Sequence, residues 1–206
     1  MNLLSSASIF TFYTLISRLL GYIRDILIAI FLGASMYADA FLVAFRLPNT
    51  FRRLFAEGTF NAAFIPSYTS EKIKDKKNGK KFADEVLGLL TLSLFFIVLI
   101  VEIFTPFLVY IIAPGFLDDF EKFDLAVELT RITFPFLFFV SLSSFFAGIL
   151  NSNNKFAAAA AAPIILNIIL ISSLLISYSF KFDFATNLSY GVTLSGVFQL
   201  IFLIYF

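Results

Sequence analysis

The 206-residue chain contains no cysteine, no histidine and no tryptophan. Without cysteine there are no disulfides, thiolate nucleophiles or thiolate metal ligands; without histidine the commonest acid–base side chain near neutral pH is missing. Charge is also scarce: 14% of residues are Asp, Glu, Lys or Arg, against about 25% in a soluble domain. The net charge of +1 offers no global field for nucleic acid, which is not expected as a partner. The sequence holds no phosphate-cradling GxxxxGK loop, nucleophile constellation or metal-ligand cluster. The expectation is a protein with no catalytic residues, no metal and no cofactor, and not an enzyme. The opening MNLLSSASIF has no basic region and no convincing cleavage site, so it reads as the start of a membrane helix rather than a removed signal.

What remains is apolar: 60% of residues are hydrophobic and the mean hydropathy is +0.93. That composition predicts an all-α, polytopic membrane helix bundle, since a bilayer-spanning helix needs about 20 mostly apolar residues. Six spans are expected, at about 8–33, 37–66, 86–113, 127–150, 157–179 and 186–206. They form a single transmembrane lobe over 1–206, with a Lys-rich loop at 67–85 and a tight turn near Gly33, Ala34 and Ser35. The short connectors predict successive helices that are antiparallel neighbours.

Lysines in the connectors set the orientation. Loop 67–85 holds Lys72, Lys74, Lys76, Lys77, Lys80 and Lys81, and 151–156 holds Lys155; the opposite side has only Lys122 and Lys181. This places the N-terminus and the Lys-rich loop in the cytoplasm.

Arginine is sorted differently from lysine. Each of the nine lysines falls in an expected connector, whereas Arg18, Arg24, Arg46, Arg52, Arg53 and Arg131 fall in or at the ends of expected spans. An arginine at mid-membrane costs at least about 2.5 kcal/mol on insertion scales, so it normally faces a bundle interior or a wet cavity. Its guanidinium also binds phosphate bidentately, which lysine cannot do. By helical phase Arg18 and Asp25 share a face, as do Asp39, Arg46 and Arg53, with Glu57 one turn further. Arg24 and Arg52 lie off these stripes and read as the freer cations. Three readings stand side by side: an anion-binding cavity, internal neutralisation by Asp25, Asp39 and Glu57, and snorkelling at helix ends. The excess of five arginines over three acids in the first two spans favours the cavity. Pro48, Pro106, Pro135 and Pro163 within or at the ends of spans suggest broken helices of the kind that line cavities. The run AAAAAAP at 157–163 offers a smooth face for close helix packing.

Four segments carry a family resemblance: SRLLGYIRD (17–25), ADAFLVAFRLPNTFRRLFAEGTFNAAFIP (38–66), LTRITFPFLFFVSLSSFFAGILNSNNKF (129–156) and the P-x-x-x-N of Pro163–Asn167. Together they resemble the MurJ/MviN family of the multidrug/oligosaccharidyl-lipid/polysaccharide exporter superfamily. The resemblance implies flipping of lipid II, the undecaprenyl-diphosphate-linked peptidoglycan precursor, across the bacterial inner membrane by alternating access. It implies a substrate-binding role for Arg18, Arg24 and Arg52, with Asp25 and Asp39 as charged partners, and a secondary role for Arg46, Arg53 and Glu57. It also implies a two-lobe bundle of about fourteen helices, of which about six are present. The expectation is therefore an N-terminal part that meets a second lobe or partner chain and is inactive alone. Two rival readings are a drug/cation antiporter of the same superfamily, which would call for a carboxylate-rich cavity, and a non-transporting membrane subunit.

Overall fold

A computed structural model describes residues 3–52 and 59–206, with side chains at 8–50 and 60–206. Nine α-helices are found among the described residues: α1 Leu3–Leu32, α2 Met36–Arg52, α3 Thr59–Lys74, α4 Lys76–Ile103, α5 Thr105–Ile112, α6 Phe120–Thr133, α7 Phe136–Ser152, α8 Phe156–Phe180 and α9 Phe184–Tyr205. A short 3-10 turn, Pro114–Asp118, joins α5 to α6. No strand occurs among the described residues, and the expected all-α membrane bundle is what forms. Among the described residues, four stretches are long and apolar enough to cross a membrane: α4, α6 with α7, α8 and α9.

Helix ends follow from particular residues. Gly33, at φ +60°, closes α1 with its N–H on the Ala29 carbonyl at 3.1 Å, a left-handed conformation that glycine adopts without steric cost. Ser35 then starts α2, its hydroxyl accepting from the Ala38 N–H at 3.3 Å. This is the tight turn that the sequence predicts. Three connector aspartates are N-caps: Asp75 accepts from the Lys77 N–H, Asp119 from that of Lys122 and Asp183 from that of Thr186.

The expected loop at 67–85 is instead helical, running through α3 to Lys74 and resuming in α4 at Lys76. A hydropathy scan registers polarity, not conformation, and Lys, Glu and Ala are strong helix formers. Its lysines therefore sit on a helical hairpin. Lys72 hydrogen-bonds Asn153 in the α7–α8 turn, so this hairpin and the 151–156 connector share one end of the molecule. Two expected spans are also broken. The third divides at Phe104, before Pro106, and the fourth at Phe134, before Pro135. In the second, α2 ends at Arg52 and α3 begins at Thr59.

Successive helices are not all close neighbours. α1 packs chiefly on α8 and barely touches α2, which packs on α6. α9 is central, meeting α8, α7, α6 and α2. Phe41 and Ala44 of α2, Leu129 of α6, Phe136 of α7, Leu170 of α8 and Val192 of α9 form the main buried core. A second cluster joins α3, α4 and α7 through Phe64, Tyr68, Ala83 and Phe145, with the Phe64 and Phe145 rings 4.9 Å apart. The alanine run packs as expected: Ala158 and Ala162 sit against Leu150 and Leu203. Because α1 and α2 diverge after their turn, a cleft opens between them, backed by α7, α8 and α9.

Candidate functional site

The cleft has a volume of about 270 Å³, just below the range of about 300–1,000 Å³ for small-molecule sites. α1 contributes Ser17, Arg18, Gly21 and Arg24; α2 contributes Phe45 and Asn49. The back is formed by Phe136 and Val140 of α7, by Pro163, Leu166 and Asn167 of α8, and by Gln199 of α9. Polar side chains from four helices thus meet in a chain that is otherwise mostly apolar.

Arg24 is the best-held cation in it. Its Nε and Nη2 donate to Asp25 Oδ1 at 3.0 and 2.8 Å, and its Nη1 donates to Asn167 Oδ1 at 2.8 Å. Asn167 in turn donates from Nδ2 to the Ser17 carbonyl at 2.9 Å, tying α8 to α1 about two helical turns before the arginine. Asn167 is 5% exposed, and the Arg24 side chain is 15% exposed beside an Asp25 carboxylate that is 65% exposed. Arginine carries five N–H donors; with three in use, Nη1 and Nη2 each retain one. The residual donors suit an incoming oxyanion, while Asp25 and Asn167 hold the plane of the guanidinium.

By helical phase Arg24 reads as one of the freer cations, yet it is held on both sides, and one of its partners is Asp25. Helical phase compares residues several turns apart, but Arg24 is bonded by its immediate neighbour and by a residue on a distant helix. Arg18 lines the same cleft and is exposed. Asp25 is brought to the site through Arg24. Asp39 is not: it pairs with Lys122 of α6, whose Nζ also lies 4.4 Å from the Phe116 ring centre. Asp39 stands in the first turn of α2, where a carboxylate is favoured by the helix dipole, and does not line the cleft. Arg46 is exposed and also lies outside the cleft lining. Arg52 is the last residue of α2, and its side chain lies outside the described residues. Arg53 and Glu57 lie outside the described residues altogether.

Sequence reasoning gave no role to Ser17, Asn49, Asn167 or Gln199. Each had a signal, a hydrogen-bonding side chain inside an apolar stretch, where an unsatisfied polar group is costly and so seeks a partner. Which partner it finds depends on packing across the bundle.

The fold and cleft define a polytopic helical membrane protein with an arginine-bearing polar cleft. The family model described as lipid II flippase MurJ matches residues 28–206, and the chain belongs to that family. It is 47% identical over 192 residues to the probable lipid II flippase MurJ of Rhizobium tropici, covering 91% of this chain and 36% of that relative. To the corresponding protein of Rickettsia prowazekii it is 41% identical over 203 residues, covering 98% of this chain and 40% of the relative. A solved structure titled lipid II flippase MurJ, inward closed conformation, superimposes with a TM-score of 0.81 at 28% identity, over 95% of this chain and 41% of that one. The chain thus spans about two fifths of the length of the relatives it matches.

Proposed function

We propose that the chain forms the arginine-bearing wall of a cavity that carries lipid II across the bacterial inner membrane by alternating access. It is a transporter part rather than an enzyme. The N-terminus and the lysine-bearing α3–α4 hairpin face the cytoplasm, in keeping with the excess of lysine at that end. α1 and α2 cross the membrane with the four more apolar stretches, with Arg18 and Arg24 of α1 turned to the cleft. The relatives' names supply the substrate, and the cleft supplies the chemistry for its diphosphate.

The observation that carries this reading is Arg24, held on one side by Asp25 and on the other by Asn167 with N–H donors to spare. A guanidinium fixed before the ligand arrives loses little entropy on binding, and it is worth more in a partly dehydrated cleft than in water. Arg18, and Arg52 from the end of α2, would meet the remaining phosphate oxygens. The sugar–peptide headgroup occupies the wider cavity, and the polyprenyl tail stays in lipid.

The test is a chimera in which residues 1–206 replace the aligned segment of the Rickettsia prowazekii relative, expressed in cells depleted of their own flippase. The chimera should restore lipid II translocation, and Arg24→Ala within it should abolish that activity without lowering membrane abundance. Translocation undiminished by Arg24→Ala would overturn the reading.

A further inference from the structure

Pro48 lies inside α2, so the Ala44 carbonyl one turn earlier lacks the N–H that an α-helix would supply. In a membrane bundle such a carbonyl needs another donor, and neighbouring helices with hydroxyl side chains can provide one. Thr133, the last residue of α6, does so: its Oγ1 donates to the Ala44 carbonyl at 2.9 Å, and both residues are fully buried. The same oxygen lies 3.2 Å from the Thr130 carbonyl, the contact that a helical threonine makes with its own turn. That carbonyl already accepts from the Phe134 N–H at 2.8 Å, whereas the regular donor to Ala44 is removed by proline. The hydroxyl's one hydrogen therefore does most for Ala44.

We propose that Thr133 is a positioning residue for the cleft end of α2, replacing the backbone donor that Pro48 lacks and so setting the course of residues 49–52. Asn49 of the cleft and Arg52 ride on that short segment. Without the hydroxyl, the carbonyl must find a donor by shifting the helix at its weakest point. α6 can reach across because it stops at Thr133, just before the Phe134–Pro135 break. A second threonine also bonds a carbonyl beside that break, where Thr193 of α9 donates to Ile132. The consequence for binding rests on the cleft being the anion site; the consequence for α2 does not.

The chain has no cysteine, so Thr50→Cys and Ile168→Cys place a spin-label pair on exposed positions of α2 and α8 without background. Distances are measured on the chain in lipid nanodiscs, and binding is measured with undecaprenyl diphosphate. Thr133→Val should broaden the distance distribution and weaken binding roughly tenfold, the order expected for an orphaned buried carbonyl. Thr133→Ser should restore both. In a Pro48→Ala background the N–H at position 48 returns, and Thr133→Val should add no further broadening. If Thr133→Val alone does not fold, Pro48→Ala should rescue it. An unchanged distribution in Thr133→Val, equal broadening in the Pro48→Ala background, or failure of that rescue would overturn the proposal. Broadening without a change in affinity upholds the positioning role and overturns the reading of the cleft.

Discussion

Asn167 accepts from Arg24 across 143 positions of sequence, at 2.8 Å, and donates from its other amide atom to the Ser17 carbonyl. One side chain thus fixes a cation and staples α8 to α1. These two jobs can be separated. Asn167→Ala removes both and should weaken polyprenyl-diphosphate binding and lower stability, each by about 1–3 kcal/mol. Asn167→Asp keeps an acceptor for Arg24 but adds a second carboxylate beside Asp25. Like Asn167→Ala it loses the N–H that bonds the Ser17 carbonyl, so it should also lower the melting temperature in detergent, but it repels the anion and should weaken binding further than Asn167→Ala does. Equal binding by Asn167→Asp and wild type would remove the electrostatic argument.

The guanidinium itself is tested by Arg18→Lys, Arg24→Lys and Arg52→Lys in the chimera. Lysine keeps the charge but cannot hold two oxygens in one plane. For Arg24 it would also lose the simultaneous bonds to Asp25 and Asn167. The loss of one charged hydrogen bond, about 1.5–3 kcal/mol, should lower translocation on the order of 10- to 100-fold at position 24. Full activity of all three lysine variants would show that charge alone suffices.

Asp39 and Lys122 form a pair whose carboxylate is 55% exposed, at a distance from the cleft. Asp39→Asn should therefore cost no more than about 1 kcal/mol of stability, the usual ceiling for such pairs. Undecaprenyl-diphosphate affinity should stay at the wild-type value. A large loss of affinity in Asp39→Asn would return this residue to the binding site.

Two glycines predict opposite responses to the same change. A Cβ at Gly191 of α9 would clash with Ser173 Oγ and lie 3.2 Å from Leu170 Cδ2 of α8. Gly191→Ala should push these helices apart at a cost of about 1–3 kcal/mol. A Cβ at Gly88 of α4 meets nothing within 4 Å, so Gly88→Ala should be neutral or stabilise by about 0.5–1 kcal/mol through the lower entropy of the unfolded chain. Thermal unfolding in one detergent would rank Gly88→Ala at or above wild type and Gly191→Ala below it.

These sites also show how far the sequence was legible. The separation of Arg from Lys pointed to Arg18 and Arg24, and both line the cleft, because the cost of burying a guanidinium in lipid is a local property of each residue. Partnerships were less legible. A spacing of seven placed Asp39 on a stripe with Arg46 and Arg53, but a stripe identifies a face and not the helix that covers it, which for Asp39 is α6. The Asn167 role was hidden for the same reason. The α3–α4 hairpin was missed because hydropathy does not distinguish a polar helix from a polar loop. The helix breaks at Phe104 and Phe134 were foreshadowed by Pro106 and Pro135.

The central claim is that Arg24 presents a fixed guanidinium to a lipid-linked diphosphate. The most direct test is equilibrium binding of undecaprenyl diphosphate and undecaprenyl monophosphate to the chain in nanodiscs, wild type against Arg24→Lys. The account predicts that wild type prefers the diphosphate and that Arg24→Lys loses most of that preference while retaining weak affinity for both lipids. Identical affinities of wild type and Arg24→Lys for the diphosphate would contradict it.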